Sequence, residues 1–175
     1  MSEDKQVDFT FVIPNTRWHK GGEGRYWKHI PYPEGILTAV LRKNGYTVNH
    51  VDANTENLTE DELLKILEEK AGKIVGISAL SVEYRDSVHK SFAIIKRANP
   101  NCKTIIGGVY PSISPDVAKE DDNIDFIVIS EGEERLLKLM EAIKNKTGFR
   151  HIDGLHYRDE DNIWKHNPRK AIGNV

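Results

Sequence analysis

Short runs of β-branched and apolar residues alternate with helical patterns along this chain, and that alternation limits the fold more than any other feature. Phe9–Ile13, Tyr46–Val51, Ile74–Ser78 and Asp125–Ile129 are near-continuous apolar stretches bounded by Gly, Pro, Asn or Asp, and Thr104–Gly107 is a shorter fifth. Such runs suit strands covered on both faces, as in a parallel sheet. Between them, Ile36, Val40 and Leu41 share a helical face that begins near Pro33 and stops at Asn44-Gly45. Leu63, Ile66 and Leu67 mark a second helix, with Thr59 and Glu62 spaced as a capping box. Val88, Phe92 and Ile95 mark a third, and Leu136, Leu139, Met140 and Ile143 mark the last, where Ser130 and Glu133 again have capping-box spacing. Between the fourth and fifth strands, Pro111 and Pro115 leave room for only a turn or two of helix.

This pattern predicts a doubly wound α/β domain of flavodoxin-like (Rossmann-like) type. Its five-stranded parallel sheet has the order 2-1-3-4-5, with helices on both faces. Residues 1–148 form that domain. Residues 149–175 read as a C-terminal β-hairpin, Ile152–Arg158 with Ile163–His166, followed by a linker. In such a sheet ligands bind beyond the carboxyl ends of the strands. The segments there are 14–32, 78–84, 107–115 and 130–133, and the first is unusually long for a strand-to-helix loop.

Composition excludes several partners. The formal charge is −2, with 25 basic and 27 acidic residues well mixed, so neither a nucleic acid nor an acidic membrane surface is favoured. No apolar run reaches the roughly 20 residues that span a bilayer, and the first residues lack a signal-peptide pattern, so a cytoplasmic protein is expected. A single cysteine, Cys102, rules out an internal disulfide and a cysteine-ligated cluster within the chain. Gly21-Gly22-Glu23-Gly24 lacks the spacing of a dinucleotide or P-loop fingerprint. Pro14-Asn15 and Ser78-Ala79 stand where a receiver domain needs acidic residues.

Small residues at two neighbouring strand ends carry the strongest functional signal. Ser78-Ala79-Leu80-Ser81 ends the third strand and Gly107-Gly108 the fourth, and together they leave a narrow channel between the sheet and the crossover helices. At this point the chain resembles the N-terminal cobalamin-binding domain of class B radical S-adenosylmethionine enzymes. Ser78-x-Leu80 followed by Gly107-Gly108 is similar to the paired signature of cobalamin-binding domains. Pro33-Glu-Gly35-Ile through Tyr46-Thr-Val resembles the first helix and second strand of that family. Gly107-Gly-Val-Tyr-Pro-Ser112 resembles its Gly-Gly-x-His-Pro-Ser, Ile129-Ser-Glu131-Gly132-Glu its Val-x-Gly-Glu-Gly-Glu, and Ile152-Asp-Gly-Leu-His-Tyr-Arg its following hairpin. Tyr110 replaces the usual histidine and Ser130 a glycine, and the three-cysteine motif of the radical domain is absent.

The resemblance implies a domain that binds base-off cobalamin at the strand ends and is not catalytic by itself. It further implies a parent methyltransferase or cyclase whose C-terminal radical S-adenosylmethionine domain, in the same chain, holds a 4Fe-4S cluster and S-adenosylmethionine. Asn15, Thr16, Ser78, Ser81, Tyr110 and Ser112 suit the amide arms of a corrin, which need hydrogen-bond partners when buried. Arg17, Lys20 or Arg25 suit its phosphodiester. Trp18, Tyr26, Trp27 and Tyr32 give the first loop an aromatic surface for a flat ligand or a second domain. Gly35, Leu80, Gly108, Pro111, Glu131 and Gly132 complete the expected site, and a branched side chain at Gly108 is expected to block the nucleotide tail. Tyr110 is expected at the lower cobalt face. His19-Lys-Gly-Gly22 supplies half of the motif by which corrinoid carriers ligate cobalt, but Arg17 stands where the orienting Asp belongs. Two further readings follow: a free corrinoid methyl carrier with His19 as cobalt ligand, or a scaffold domain that has lost cobalamin.

Overall fold

The computed structural model describes residues 7–18 and 31–169. The loop residues His19, Lys20, Gly21–Gly24, Arg25, Tyr26 and Trp27, and the tail from Lys170, lie outside the described residues. Five parallel strands form as the apolar runs predict: β1 (Phe9–Ile13), β2 (Val48–Asp52), β3 (Ile74–Ser78), β4 (Lys103–Gly107) and β5 (Phe126–Val128). They pair in the order β2-β1-β3-β4-β5. β1 therefore has a neighbour on each side that begins a different half of the winding, the switch point of an open α/β sheet.

The hairpin extends this sheet rather than standing apart from it. β6 (Leu155–Arg158) pairs antiparallel with β5, and β7 (Trp164–His166) pairs antiparallel with β6, giving seven strands in one sheet. Arg158 fastens the hairpin to the preceding turn: its guanidinium donates to Asp122 at 3.0 Å and lies 4.6 Å from the Trp164 ring centre. Asn167 at the hairpin's end donates through Nδ2 to the carbonyls of Phe149 and Ile152, at 2.8 and 2.7 Å.

Helices cover both faces. α1 (Tyr32–Lys43) and α6 (Glu133–Asn145) lie on one side, α2 (Glu60–Lys70) and α3 (Arg85–Ala98) on the other. Leu63, Leu67, Phe92 and Ile95 pack on Val12, Val75 and Ile106, all buried. On the opposite face Leu41, Leu139 and Met140 pack with Phe9, Ile74 and Ile105. The capping box at Thr59 forms as expected, with the Glu62 carboxylate accepting from the Thr59 backbone N–H at 2.8 Å. The second one does not form. Ser130 takes φ +67°, and α6 begins after Gly132 with no side-chain cap. The segment between β4 and β5 holds two short helices, α4 (Val109–Ile113) and α5 (Pro115–Lys119). No helix among the described residues is long and apolar enough to cross a membrane.

Candidate cobalamin site

A cavity of about 450 Å³ opens between the sheet and the N-terminal turns of α1 and α6, within the range of about 300–1,000 Å³ typical of small-molecule sites. Its walls are Tyr32, Pro33, Ile36 and Leu37 of α1, Glu133 and Leu136 of α6, and the strand residues Phe9, Phe11, Gly76, Ser78, Ile105, Gly107 and Val128. Gly108, Val109, Ser112 and Ile113 border it on one side, and Ser130, Glu131 and Gly132 on another. It lies at the carboxyl ends of β3 and β4, beside the switch point.

The sequence makes this space by withholding side chains. Ser78 and Gly107 are register partners on adjacent strands, so two neighbouring positions carry almost no bulk. A Cβ at Gly107 would make only ordinary contact with Val128, whose carbonyl lies 3.8 Å away. Gly76, one pleat deeper, has a different task. The Phe9 ring lies over it, and any Cβ there would run into that ring.

Gly108 is constrained by backbone instead. Ala79 donates to the Gly107 carbonyl at 2.8 Å and Tyr110 donates to the Ala79 carbonyl at 2.9 Å, which draws the ends of β3 and β4 together. At φ +96° a Cβ on Gly108 would lie 2.6 Å from the Ala79 oxygen. A branched residue there breaks this junction before it reaches the cavity, so Gly107, not Gly108, is the position from which to fill the space. Ser112 closes the same corner, its Oγ donating to the Gly108 carbonyl at 2.7 Å and accepting from the Ser130 N–H at 2.9 Å.

Seven of the residues singled out in the sequence come together here: Ser78, Leu80, Gly107, Gly108, Ser112, Glu131 and Gly132. Others are engaged elsewhere. Asn15 is buried and donates to Asn57 and the Leu58 carbonyl at 3.2 and 3.1 Å. Thr16 donates its hydroxyl to Asn54 at 2.8 Å. Arg17 reaches the Asn54 carbonyl and Asn57 at 3.0 and 2.9 Å, so the loop after β1 is stapled to the loop after β2. Trp18 packs against the core of the α2/α3 face. The Ser81 Oγ accepts from the Glu83 N–H at 3.1 Å, and Gly35 faces open space within α1.

Tyr110, expected at the lower cobalt face, is placed away from the cavity. It is fully buried with Pro111 in α4, on the α2/α3 side of the sheet, and does not line the cavity. Its hydroxyl sits 2.7 Å from His89 Nε2, and His89 Nδ1 is 2.7 Å from Asp121. Burial pushes the Tyr110 phenol above its ordinary pKa. Burial acts upward on Asp121 too, but hydrogen bonds from His89 and Asn123 hold its carboxyl below the usual range.

The cavity wall also includes residues that sequence reasoning missed, chiefly Phe9, Phe11, Ile105, Val128 and Leu136. Only Gly76, a glycine inside an otherwise β-branched strand, gave a readable sign of close approach. The mouth is apolar and open: Tyr32 is 71% exposed and Ile113 72%, with Leu80 and Val109 also exposed beside them.

A glycine-lined cavity at the switch point of a five-strand parallel core defines a ligand-binding domain of the open α/β class. The chain belongs to the B12 binding domain family, which matches residues 28–140. It is 28% identical over 149 residues to the cytidylyl-2-hydroxyethylphosphonate methyltransferase of Streptomyces wedmorensis, covering 74% of this chain and 28% of that one. It is 33% identical over 135 residues to the anaerobic magnesium-protoporphyrin IX monomethyl ester cyclase of Rubrivivax gelatinosus, covering 76% and 24%. The chain thus spans about a quarter of the length of these curated relatives.

Among solved structures it superposes on the radical S-adenosylmethionine methyltransferase TsrM from Kitasatospora setae, determined with cobalamin and a 4Fe-4S cluster bound. The TM-score is 0.79 at 19% identity, over 97% of this chain and 30% of TsrM. The cobalamin-dependent radical enzyme OxsB, solved with aqua-cobalamin and S-adenosylmethionine, matches with a TM-score of 0.76 at 22% identity, over 96% and 23%.

Proposed function

We propose that this chain binds cobalamin base-off, with the nucleotide tail in the cavity between the sheet, α1 and α6. The whole protein to which it belongs is then a B12-dependent radical S-adenosylmethionine enzyme of methyltransferase or cyclase type. The observation that carries this reading is the paired absence of bulk at Ser78 and Gly107, which leaves about 450 Å³ open where a doubly wound fold binds its ligand. Membership of the B12 binding domain family agrees with it.

Within this reading Ser78 and Gly107 give passage to the tail, Gly108 holds the junction of β3 and β4 beside it, and Ser112, Ser130 and Glu131 offer polar groups at the mouth. Cobalamin supplies a cobalt-bound methyl group or a redox-active cobalt. This chain's own part is to bind the cofactor and keep its tail away from the metal. The exposed apolar rim of Tyr32, Leu80, Val109 and Ile113 suits contact with the corrin and with a radical domain in the same chain, which holds the cluster and S-adenosylmethionine.

Titration with hydroxocobalamin, followed by visible absorption, tests the reading. Roughly one equivalent should bind, with the spectrum of a cobalamin lacking its benzimidazole ligand. Retention of the base-on spectrum, or no binding by a folded chain, overturns it.

A further inference from the structure

The cavity changes character with depth. Its polar groups come from strand ends and helix starts at the mouth, where Ser78, Ser112, Ser130 and Glu131 stand. Its inner wall is made of almost fully buried side chains, Phe9, Phe11, Ile105 and Val128 of the strands and Leu136 of α6. These five side chains hold no nitrogen or oxygen. Among the described residues, the side chains of the inner wall therefore present only carbon to whatever enters.

We propose that this wall selects the lower base of the cobamide, accepting a benzimidazole and discriminating against a purine. The inference rests on the reading that the nucleotide tail occupies the cavity. Once released from cobalt, dimethylbenzimidazole presents one free ring nitrogen and a hydrocarbon edge with two methyl groups. Adenine presents the corresponding nitrogen, two further ring nitrogens and an exocyclic amine. Each of these is hydrogen-bonded in water and finds no side-chain partner on the inner wall. An apolar pocket discriminates moderately between ligands that differ in polar groups, so the expected preference is about ten- to a hundredfold. Adenine is the weaker cobalt ligand and leaves the metal more easily. That effect opposes the preference, so an observed bias toward benzimidazole must come from the protein.

The experiment is equilibrium dialysis of the full chain against hydroxocobalamin, adeninylcobamide and base-free cobinamide. Hydroxocobalamin should bind at least about tenfold more tightly than adeninylcobamide. Val128→Thr keeps the shape of the wall and adds a hydroxyl, and should narrow that ratio. Equal or tighter binding of adeninylcobamide to the wild-type chain overturns the inference while leaving the cobalamin reading intact. Cobinamide binding as tightly as hydroxocobalamin means that the base contributes nothing, which overturns the tail placement and the inference together. The wild-type ratio decides the matter even should Val128→Thr fail to fold.

Discussion

The two faces of the sheet use the same kinds of side chain and reach different ends. On the α2/α3 face, Leu63, Leu67, Phe92 and Ile95 meet Val12, Val75 and Ile106 along the strands, and the space is filled. On the α1/α6 face, Leu41, Leu139 and Met140 fill the part that faces the amino ends of the strands, while the part toward their carboxyl ends holds the cavity. The residues near the closed end, Leu41 and Leu139, are fully buried and set the distance of the helices from the sheet. With that distance set, glycine and serine on β3 and β4 leave a gap that no neighbour fills. A functional cavity here is a local subtraction from an ordinary core.

The largest effect expected from breaking this arrangement is at Gly108. Gly108→Leu combines φ +96° with a Cβ 2.6 Å from the Ala79 carbonyl oxygen, so it should abolish cooperative unfolding rather than merely weaken ligand binding. Circular dichroism during a urea titration checks this. A variant with wild-type stability would mean that the junction of β3 and β4 yields easily.

A matched pair of truncations compares the faces directly. Leu63→Ala opens a hole in the filled face and should cost about 3–5 kcal/mol. Leu136 is buried but borders space that is already empty, so Leu136→Ala loses fewer contacts and should cost about 2–3 kcal/mol. Denaturant titration of both proteins measures the difference. Equal costs would imply that the cavity collapses around its lining.

How much of this comparison was legible in the sequence depends on the range of the interactions involved. The five strands and their order follow from apolar runs and turn residues, which are local signals. The attachment of the hairpin to β5 depends on pairing between Ile127 and His156, which no local pattern encodes. At the site, Ser78 and Gly107-Gly108 were readable because absent bulk is visible in the sequence itself. Phe9, Ile105, Val128 and Leu136 were not, because a carbon-lined cavity wall has the same composition as a core. Asn15 and Thr16 illustrate a related ambiguity. A hydroxyl or amide in a strand-end loop fits a ligand and a neighbouring loop equally well, and here Asn54 and Asn57 take them up.

A smaller effect concerns a polar group on the filled side. His156 lies opposite Ile127, on the side of α5, and burial first, then its electrostatic interaction with Lys119 and His166, lowers its pKa to about 4. An unfolded histidine titrates near 6.5, so below that pH the unfolded chain binds the extra proton and the folded one resists it. Stability from this group is complete above pH 6.5 and is lost as pH falls toward 4. His156→Phe should flatten the pH dependence of the denaturation midpoint in that window; an unchanged slope would assign it to other groups.

The most direct test of the account is equilibrium dialysis of hydroxocobalamin against the wild-type chain and Gly107→Leu. A side chain at this position meets only ordinary contact at its Cβ and projects into the cavity, so the variant should fold. Overpacking of this kind costs about 1–3 kcal/mol, and cobalamin affinity should fall by roughly 5- to 150-fold. Undiminished affinity in the folded variant would contradict the claim that the cavity receives the cofactor's tail.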